Sequence, residues 1–278
     1  MENIIDEIEQ TAAESIKAEQ GDYIGDDGLL YCGKCHTKKQ VRVNIFGRER
    51  TPFCLCRCET EKRNRAEEER KRADFERRVK ELRRAGFPES DMHDWTFAND
   101  DRKNEKVTKI MQAYFDNFST MKKDGKGLLL YGDVGTGKTF AAACVANALI
   151  DKGYPVLMTN FARICNTVQG LFEGKQEYYD SFNNFPLLII DDLKAERKTE
   201  YMQEIVYTVI DGRYRAGLPV IITTNLTSDE LKHPADLTNQ RIFSRLLEMT
   251  IPIEVTGTDR RREKLIKDYK DYKDILGL

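Results

Sequence analysis

The segment between residues 132 and 139 constrains the fold of this chain more than any other part. It fits the pattern G-x-x-x-x-G-K-[ST] and consists of Gly132, Asp133, Val134, Gly135, Thr136, Gly137, Lys138 and Thr139, followed by Phe140. An apolar run over 128–131 predicts a short buried strand before it, and an alanine-rich stretch over 140–150 predicts a helix after it. A strand, a glycine loop and a helix in this order predict a phosphate-binding loop.

Each residue type in this loop has a chemical role in phosphate binding. Glycines let backbone N–H groups turn inward around phosphate oxygens, and the following helix adds the positive end of its dipole. We expect Lys138 to reach the β- and γ-phosphates of a nucleotide and the Thr139 hydroxyl to hold Mg²⁺. The loop through Phe140 is therefore the predicted nucleotide-binding segment.

A second motif further along the chain complements the loop. Four apolar residues over 187–190 end in Asp191 and Asp192, which predicts a buried strand that delivers carboxylates to its carboxyl end. We expect Asp191 to join Thr139 in the Mg²⁺ shell. Asp192 is placed to orient or deprotonate an attacking water.

The cysteines predict a separate metal module. Five of the seven lie between Cys32 and Cys58, and the sequence has no pattern of a signal peptide and no apolar run near the ~20 residues of a membrane span. We therefore expect a cytoplasmic protein, in which clustered cysteines indicate zinc more than disulfides. The predicted ligands are Cys32, Cys35, Cys56 and Cys58, with Cys54 or His36 as substitutes in the second pair.

Charge is distributed unevenly around this module. Residues 1–30 hold one basic and nine acidic side chains, whereas residues 31–84 hold eighteen basic and nine acidic ones. Residues 1–20 have the apolar spacing of an amphipathic helix, which either packs on the next module or docks on a partner protein. Residues 61–84 are almost all charged and predict a solvated helix, including an i,i+4 pair of Glu67 and Lys71.

The remainder alternates between strands and helices. Strands are predicted over 156–159, 218–225 and 251–255, and helices over 103–122, 161–183, 199–216 and 240–246, with a last helix capped by Asp259. Together with the strands beside the two motifs, this order predicts an α/β fold with a five-stranded parallel sheet and helices on both faces. The predicted domains are 1–60, a charged linker over 61–88, and 89–278.

The combined motifs GDVGTGKT, LLIIDDLKAER, VIITTNLT, RIFSRLLE and GTDRRR resemble those of AAA+ ATPases, and specifically the DnaC/IstB-like helicase loaders. The resemblance covers residues 90–270 and implies an ATP site with one Mg²⁺ at a subunit interface. It implies that Asn225 is the first sensor residue, which positions the attacking water, and that Arg261 is the second, which touches the γ-phosphate. Arg245 matches the arginine finger given to a neighbouring subunit, with Arg241 as its rival.

The resemblance has further implications and two departures. It implies a replicative DNA helicase as partner, single-stranded DNA bound through 161–183 (with Lys175, Tyr178 and Tyr179), and ATP-dependent assembly into a homo-oligomer. Lys194 stands where the family often has glycine, which bears on the turn after Asp192. The cysteine module is typical of loaders rather than of the transposition ATPases that share this core.

The sequence disfavours three other functions relative to helicase loading. An ATPase that assists DNA transposition would share the core but has little reason to carry a zinc module. A small-molecule kinase with a P-loop would need an acceptor pocket and a lid, and the finger and sensor implied by the resemblance argue against it. A zinc adaptor with a decayed ATPase site is disfavoured by Lys138, Thr139 and Asp191.

Overall fold

The computed structural model describes residues 19–193, 199–234 and 236–277. Among these residues the chain divides after Glu76 into two compact units. The helix predicted over 1–20 lies almost entirely outside the described residues, and so does Lys194. In the part of the chain that the structure describes, no helix is long and apolar enough to cross a membrane.

The first unit contains two short antiparallel hairpins and the start of a long helix. Strands β1 (Tyr23–Ile24) and β2 (Leu30–Tyr31) form one hairpin, and β3 (Val43–Ile45) and β4 (Arg48–Arg50) form the other. Helix α1 spans Arg57–Gly86, so the boundary between the units falls within it. The predicted pair of Glu67 and Lys71 is present, with a nitrogen–oxygen distance of 2.7 Å.

The second unit is built on a parallel sheet of five strands. Its strands are β5 (Gly127–Tyr131), β6 (Val156–Asn160), β7 (Leu187–Leu193), β8 (Val220–Thr224) and β9 (Thr250–Glu254). Their order across the sheet is β6-β7-β8-β5-β9. Strand β5, which precedes the glycine loop, therefore lies between β8 and β9. Strand β7, which carries the two aspartates, lies on the other side of β8.

Helices cover both faces of this sheet, as predicted. They are α2 (Glu105–Asp116), α3 (Phe118–Lys123), α4 (Lys138–Asp151), α5 (Phe161–Gly170), α6 (Lys175–Ser181), α7 (Glu200–Arg215), α8 (Ser228–Lys232), α9 (Leu237–Met249) and α10 (Arg260–Leu276). The single helix predicted over 103–122 is two helices, because Asn117 ends α2 and begins α3 with φ −102° and ψ 15°.

Alternation along the strands divides the core into two layers. Leu128 and Leu130 pack with residues of α2 and α4 on one face, whereas Leu129 packs with residues of α5, α7 and α9 on the other. Successive side chains of a strand point to opposite faces, so a fully apolar strand requires helices on both. The parallel order also brings the carboxyl ends of β5, β7 and β8 to one edge, where the polar residues of the motifs collect.

Candidate nucleotide site and cysteine cluster

The glycine loop joins β5 to α4 and has a conformation that requires its glycines. Gly132, Gly135 and Gly137 have φ values of 131°, 78° and 95°. A Cβ atom on Gly135 would lie 1.9 Å from Oδ1 of Asp259, and one on Gly132 would lie 2.6 Å from the carbonyl oxygen of Val255. The loop is therefore wrapped closely by the segment that leads into α10, and only glycine fits at these positions.

Lys138 is the first residue of α4 and its side chain is buried in the loop. Its Nζ donates hydrogen bonds to the carbonyl oxygens of Gly132, at 2.8 Å, and Asp133, at 2.6 Å. Burial lowers the pKa of Lys138, because desolvation disfavours the ammonium form. The amine thus lies within the loop that is predicted to surround phosphate oxygens.

Asp191 lies at the end of β7 and is held by a residue of the neighbouring strand. Oγ1 of Thr223 donates a hydrogen bond to Oδ1 of Asp191 at 2.6 Å and accepts one from the backbone N–H of Asp192 at 2.9 Å. Thr223 is not among the site residues predicted from the sequence. Its position two residues before Asn225, at the end of an apolar strand, is the signal that could have identified it.

Asp192 occupies an irregular position in β7. The pairing of β7 with β8 shifts register between Ile190 and Leu193, and Asp192 within this shift has φ 56°. A left-handed backbone is uncommon for a residue other than glycine and is concentrated at functional sites. Nδ2 of Asn225 donates to Oδ1 of Asp192 at 3.3 Å, so the predicted water-orienting carboxylate and the predicted sensor are in contact.

These groups surround a single cavity of about 570 Å³, which is within the range of small-molecule sites. Trp95 and Phe140 form part of its wall, with ring centroids 5.9 Å apart. Phe97, two residues after Trp95, lines a different and smaller cavity. The lining is Trp95, Val134, Gly135, Gly137, Lys138, Thr139, Phe140, Asp191, Asp192, Thr223, Asn225, Arg260 and Arg261.

Two arginines of the first turn of α10 line the cavity, and only Arg261 was expected there. The backbone N–H of Arg260 donates to the carbonyl oxygen of Gly135 at 3.1 Å, and its guanidinium forms an ion pair with Asp101 at 3.1 Å. As predicted, Asp259 caps the helix by accepting from the backbone N–H groups of Arg261 and Arg262. The sequence does not predict Arg260 as a lining residue, because the rotation of α10 decides which of three consecutive arginines face the cavity.

Arg245, the residue that matches the arginine finger, is held within its own chain. Its Nη2 lies 2.8 Å from Oδ1 of Asp211, and its guanidinium lies 4.6 Å from the ring centroid of Tyr207. Helix α9 thereby presents Arg245 to α7, away from the residues that line the nucleotide cavity of the same chain. Arg241, one turn earlier on α9, is exposed.

The first unit brings four thiols together. The ligand atoms of Cys32, Cys35, Cys56 and Cys58 all lie within 4.8 Å of one another, and the Sγ–Sγ distances are 3.6 Å for Cys32–Cys58 and 3.3 Å for Cys56–Cys58. Tetrahedral zinc with Zn–S bonds of about 2.3 Å needs sulfur atoms about 3.8 Å apart, so the set fits one zinc ion. The two alternatives lie elsewhere: Cys54 is directed to the carbonyl oxygen of Lys38, and His36 to the hydroxyl of Tyr23.

A buried ion pair supports the turn that carries the first two cysteines. Nζ of Lys39 lies 2.6 Å from Oδ2 of Asp22, and both side chains are less than a tenth exposed. Oδ1 of Asp22 accepts a hydrogen bond from the backbone N–H of Gly33 at 3.0 Å. The hydrogen bond from Lys39 lowers the pKa of Asp22 to about 2. This carboxylate therefore fixes the backbone between Cys32 and Cys35.

The tip of the second hairpin is an exposed aromatic residue in an unfavourable conformation. Phe46 and Gly47 connect β3 to β4 with φ values of 52° and 81°. Positive φ at both central residues is the geometry of a tight hairpin turn that prefers asparagine or glycine at the first position. Phe46 is 88% exposed, so no packing against the described residues compensates for this conformation.

The segment predicted to bind single-stranded DNA forms α5 and α6. Lys175 is exposed, whereas Tyr178 and Tyr179 are half-buried and pack against the apolar layer, with Tyr178 5.1 Å from Phe182 between ring centroids. Phe172, between the two helices, is fully exposed at 103%. No sequence pattern identifies this residue, because a lone phenylalanine in a loop has no periodic context.

Comparison with known proteins places this geometry in a family. The profile of the family described as IstB-like ATP binding protein matches residues 63–266. The replicative helicase loader DnaI of Bacillus subtilis is 26% identical over 206 residues, which cover 69% of this chain and 66% of DnaI. The replicative helicase loader DnaC of Escherichia coli K12 is 26% identical over 119 residues, which cover 41% of this chain and 47% of DnaC.

Solved structures share the fold. A crystal structure of DnaI superposes with a TM-score of 0.54 at 23% identity and covers 64% of this chain and 98% of the DnaI chain. A crystal structure of the DnaC helicase loader superposes with a TM-score of 0.52 at 22% identity and covers 60% and 100% of the two chains. The matched regions span about half to two thirds of the length of the two curated relatives.

Proposed function

Because the chain belongs to the family of IstB-like ATP-binding proteins and has the AAA+ P-loop fold, we propose that it loads a replicative hexameric DNA helicase onto single-stranded DNA. The family and fold make the chain an ATPase. We further propose that ATP binding orders an assembly of this chain with the helicase and that ATP hydrolysis releases the helicase. Two relatives named replicative helicase loaders support this proposal.

The observation that carries the proposal is the presence of two separate sites in one chain. One is a cavity in which Lys138, Asp191 and Asn225 meet, and the other is the cluster of four thiols in the first unit. An ATPase that assembles on a partner needs both a nucleotide switch and a docking surface that does not take part in hydrolysis.

The nucleotide site is proposed to work through the residues that line the cavity. Lys138 exchanges its two loop carbonyl partners for phosphate oxygens, and the aromatic wall formed by Trp95 receives the base. Thr139 and Asp191 would hold Mg²⁺, which would supply positive charge to neutralise the phosphates. The hydrogen bond from Thr223 keeps Oδ1 of Asp191 in place, so that the other carboxylate oxygen is available to the metal shell.

Asp192 and Asn225 are proposed to orient the attacking water. They contact each other directly and both line the cavity, so that a water bound beside them there would contact both side chains. Arg261, and with it Arg260, contributes positive charge from the first turn of α10. Arg245 is proposed to act in a neighbouring copy, since it does not line the cavity of its own chain. ATP-dependent assembly into a homo-oligomer then completes the site.

The first unit is proposed to be the helicase-docking module, stabilised by zinc bound to Cys32, Cys35, Cys56 and Cys58. A unit this small has little apolar core, so metal binding contributes directly to its folding. Phe46 projects from it as an aromatic side chain that the described residues leave exposed, and aromatic residues are enriched in the centre of protein interfaces. We propose that Phe46 contacts the helicase.

Single-stranded DNA is proposed to bind the second unit near α5 and α6. Lys175 supplies positive charge, and Phe172 supplies a fully exposed ring on which a base can stack. Tyr178 and Tyr179 were predicted for this stacking. Their packing against the apolar layer makes Phe172 the better placed ring of the segment.

The second candidate function is an ATPase that assists DNA transposition, and the family description favours it to the same extent as it favours a loader. The two functions differ in the partner of the first unit. A loader needs this unit to bind a helicase, whereas a transposition ATPase acts on target DNA and a transposase without it.

The test is a loading assay with the full chain, a purified replicative helicase from the same cell and circular single-stranded DNA coated with single-strand-binding protein. We expect the chain with ATP to increase the helicase recovered with the DNA, and we expect Lys138→Ala to abolish the increase. Capture of the helicase without nucleotide tests docking alone. An active ATPase that neither captures the helicase nor promotes its recovery on DNA would contradict the loader proposal and leave the transposition ATPase.

A further inference from the structure

The last helix carries a set of apolar side chains that the rest of the described chain does not cover. Six residues of α10 are each more than half exposed: Leu265, Ile266, Tyr269, Tyr272, Ile275 and Leu276. Single exposed apolar residues are ordinary, but a contiguous set along one helix is typical of an interaction surface.

The spacing of these residues defines the kind of surface. Leu265, Tyr269, Tyr272 and Leu276 are separated by four, three and four positions, which is the spacing of the a and d positions of a coiled coil. Ile266 and Ile275 lie at the flanking e and g positions and widen the stripe. A seam with this spacing matches the side of a second helix better than it matches a flat surface or a pocket.

The charged residues beside the seam identify the second helix. With Tyr269 at an a position, Asp268 lies at g and Lys273 lies at e, five residues later. In a parallel pair, the g residue of one helix faces the e residue of the next heptad on the other. Asp268 of one copy would therefore face Lys273 of a second copy, and the symmetry of the pair would form this ion pair twice.

From this complementarity we infer that α10 pairs in parallel with α10 of a second copy of this chain and forms a dimer without nucleotide. The contact is isologous, because the same stripe is used by both copies. It differs from the head-to-tail contact that would bring Arg245 to a neighbouring nucleotide cavity. Neither this contact nor the dimer depends on helicase loading.

The dimer also affects the nucleotide site, because α10 begins there. Its first turn supplies Arg260 and Arg261 to the cavity, and the backbone N–H of Arg260 is bonded to the glycine loop. Pairing of the exposed part of α10 therefore restrains a helix that begins at the phosphate-binding loop. The seam covers only two heptads, fewer than an isolated coiled coil needs, so the dimer forms between folded chains and dissociates reversibly.

The experiment is sedimentation velocity of the full chain without nucleotide over a range of concentrations. We expect a monomer–dimer equilibrium, and we expect Tyr269→Asp to raise the dimer dissociation constant by about tenfold or more, since it places a charge in the seam. Phe172→Ser is the control, because it removes an exposed aromatic residue outside α10 and should leave the equilibrium unchanged. Unchanged far-ultraviolet circular dichroism confirms that each variant is folded.

Charge reversal tests the identity and the direction of the partner helix. Asp268→Lys and Lys273→Asp should each weaken the dimer, because each places like charges opposite each other, and the double variant should restore it. Failure of the double variant to restore the dimer would overturn the parallel pairing. A wild-type chain that stays monomeric at all concentrations, or a Tyr269→Asp variant that dimerises normally, would show that another segment or another protein covers the stripe and would overturn the proposal.

Discussion

The hydroxyl of Thr223 donates a 2.6 Å hydrogen bond to Oδ1 of Asp191, the carboxylate expected to hold Mg²⁺. The two residues lie on adjacent parallel strands, and the same hydroxyl accepts from the backbone N–H of Asp192. One side chain of β8 therefore holds the carboxylate of Asp191 and the backbone of Asp192. The strand that precedes Asn225 therefore contributes to the proposed catalytic site as well as to the core.

Replacement of Thr223 by valine tests this arrangement with almost no change in side-chain volume. We expect Thr223→Val to lower ATP turnover by about 10- to 100-fold, the usual cost of losing a partner that orients a metal ligand. Thr223→Ser keeps the hydroxyl and should retain most of the activity. Steady-state hydrolysis with varied Mg²⁺ measures both, and equal activity of the valine and serine variants would show that the hydrogen bond has no role.

Arg245 is expected to act only between subunits. Arg245→Ala should bind ATP normally but hydrolyse it more slowly, by a factor of up to about 10³–10⁵, because a finger stabilises charge that develops in the transition state. Lys138→Ala has the finger but lacks the phosphate contact. A mixture of the two inactive variants should recover activity that rises with protein concentration, since each active site then combines two chains.

Arg241→Ala is the matched control for this mixing experiment, because Arg241 lies one turn away and is exposed. It should retain activity if Arg245 is the finger. Two results together would assign the role of finger to Arg241. ATPase activity would recover when Lys138→Ala is mixed with Arg241→Ala, and it would not recover when Lys138→Ala is mixed with Arg245→Ala. Arg245 would then be a structural residue held by Asp211.

Zinc binding can be tested with two cysteines that are close in sequence but differ in position. Cys56→Ser removes a thiol of the cluster and should lower the zinc content of the purified protein below one ion per chain, whereas Cys54→Ser should leave it unchanged. Atomic absorption after purification without chelator measures the content. Zinc-free wild-type protein prepared under reducing conditions, or zinc loss in Cys54→Ser alone, would contradict the ligand set.

The buried ion pair of Asp22 and Lys39 should stabilise the first unit far more than the exposed pair of Asp27 and Lys38 does. Asp22→Asn leaves a buried ammonium without its carboxylate and should destabilise the first unit by about 3–5 kcal/mol. Asp27→Asn disrupts the exposed pair with Lys38 and should destabilise this unit much less, because solvent screens an exposed pair. Hydrogen exchange of peptides from residues 19–60 measures the destabilisation in both variants. Similar protection in the two variants would show that burial does not make the pair of Asp22 and Lys39 more stabilising than the exposed pair.

The same pair predicts a dependence on pH. The pKa of Asp22 is about 2 in the folded chain and 3.8 ordinarily, so its carboxylate contributes stability above about pH 4 and loses it as the pH falls toward 2. The difference in protection between the wild-type chain and Asp22→Asn should therefore shrink over this interval. A difference that stays constant would show that the carboxylate charge is not the cause.

Phe46→Asn separates folding from partner binding at the hairpin tip. Asparagine adopts the left-handed conformation more easily, so the variant should be as stable as the wild type or more stable by up to about 1 kcal/mol. Its affinity for the replicative helicase should nevertheless fall by about tenfold or more, as expected for loss of an aromatic residue at an interface. Unchanged affinity would remove Phe46 from the proposed docking surface.

The sequence alone determined the features that depend on short spacing along the chain. The glycine loop, the aspartates after a four-residue apolar run, the cap at Asp259 and the alternation of strands with helices were all correctly predicted. Each is a local pattern, because the backbone conformation of a loop or cap and the period of a strand or helix are fixed by a few neighbouring residues.

The tertiary structure decided what depends on residues distant in sequence. The pairing of β7 with β8 selected Thr223, the phase of α10 selected Arg260 as well as Arg261, and the packing of α9 on α7 joined Arg245 to Asp211. The fold of the first unit separated Cys54 from the four clustered thiols. Such choices follow from strand register and helix rotation, which are set by how the whole core packs and which no local pattern in the sequence encodes.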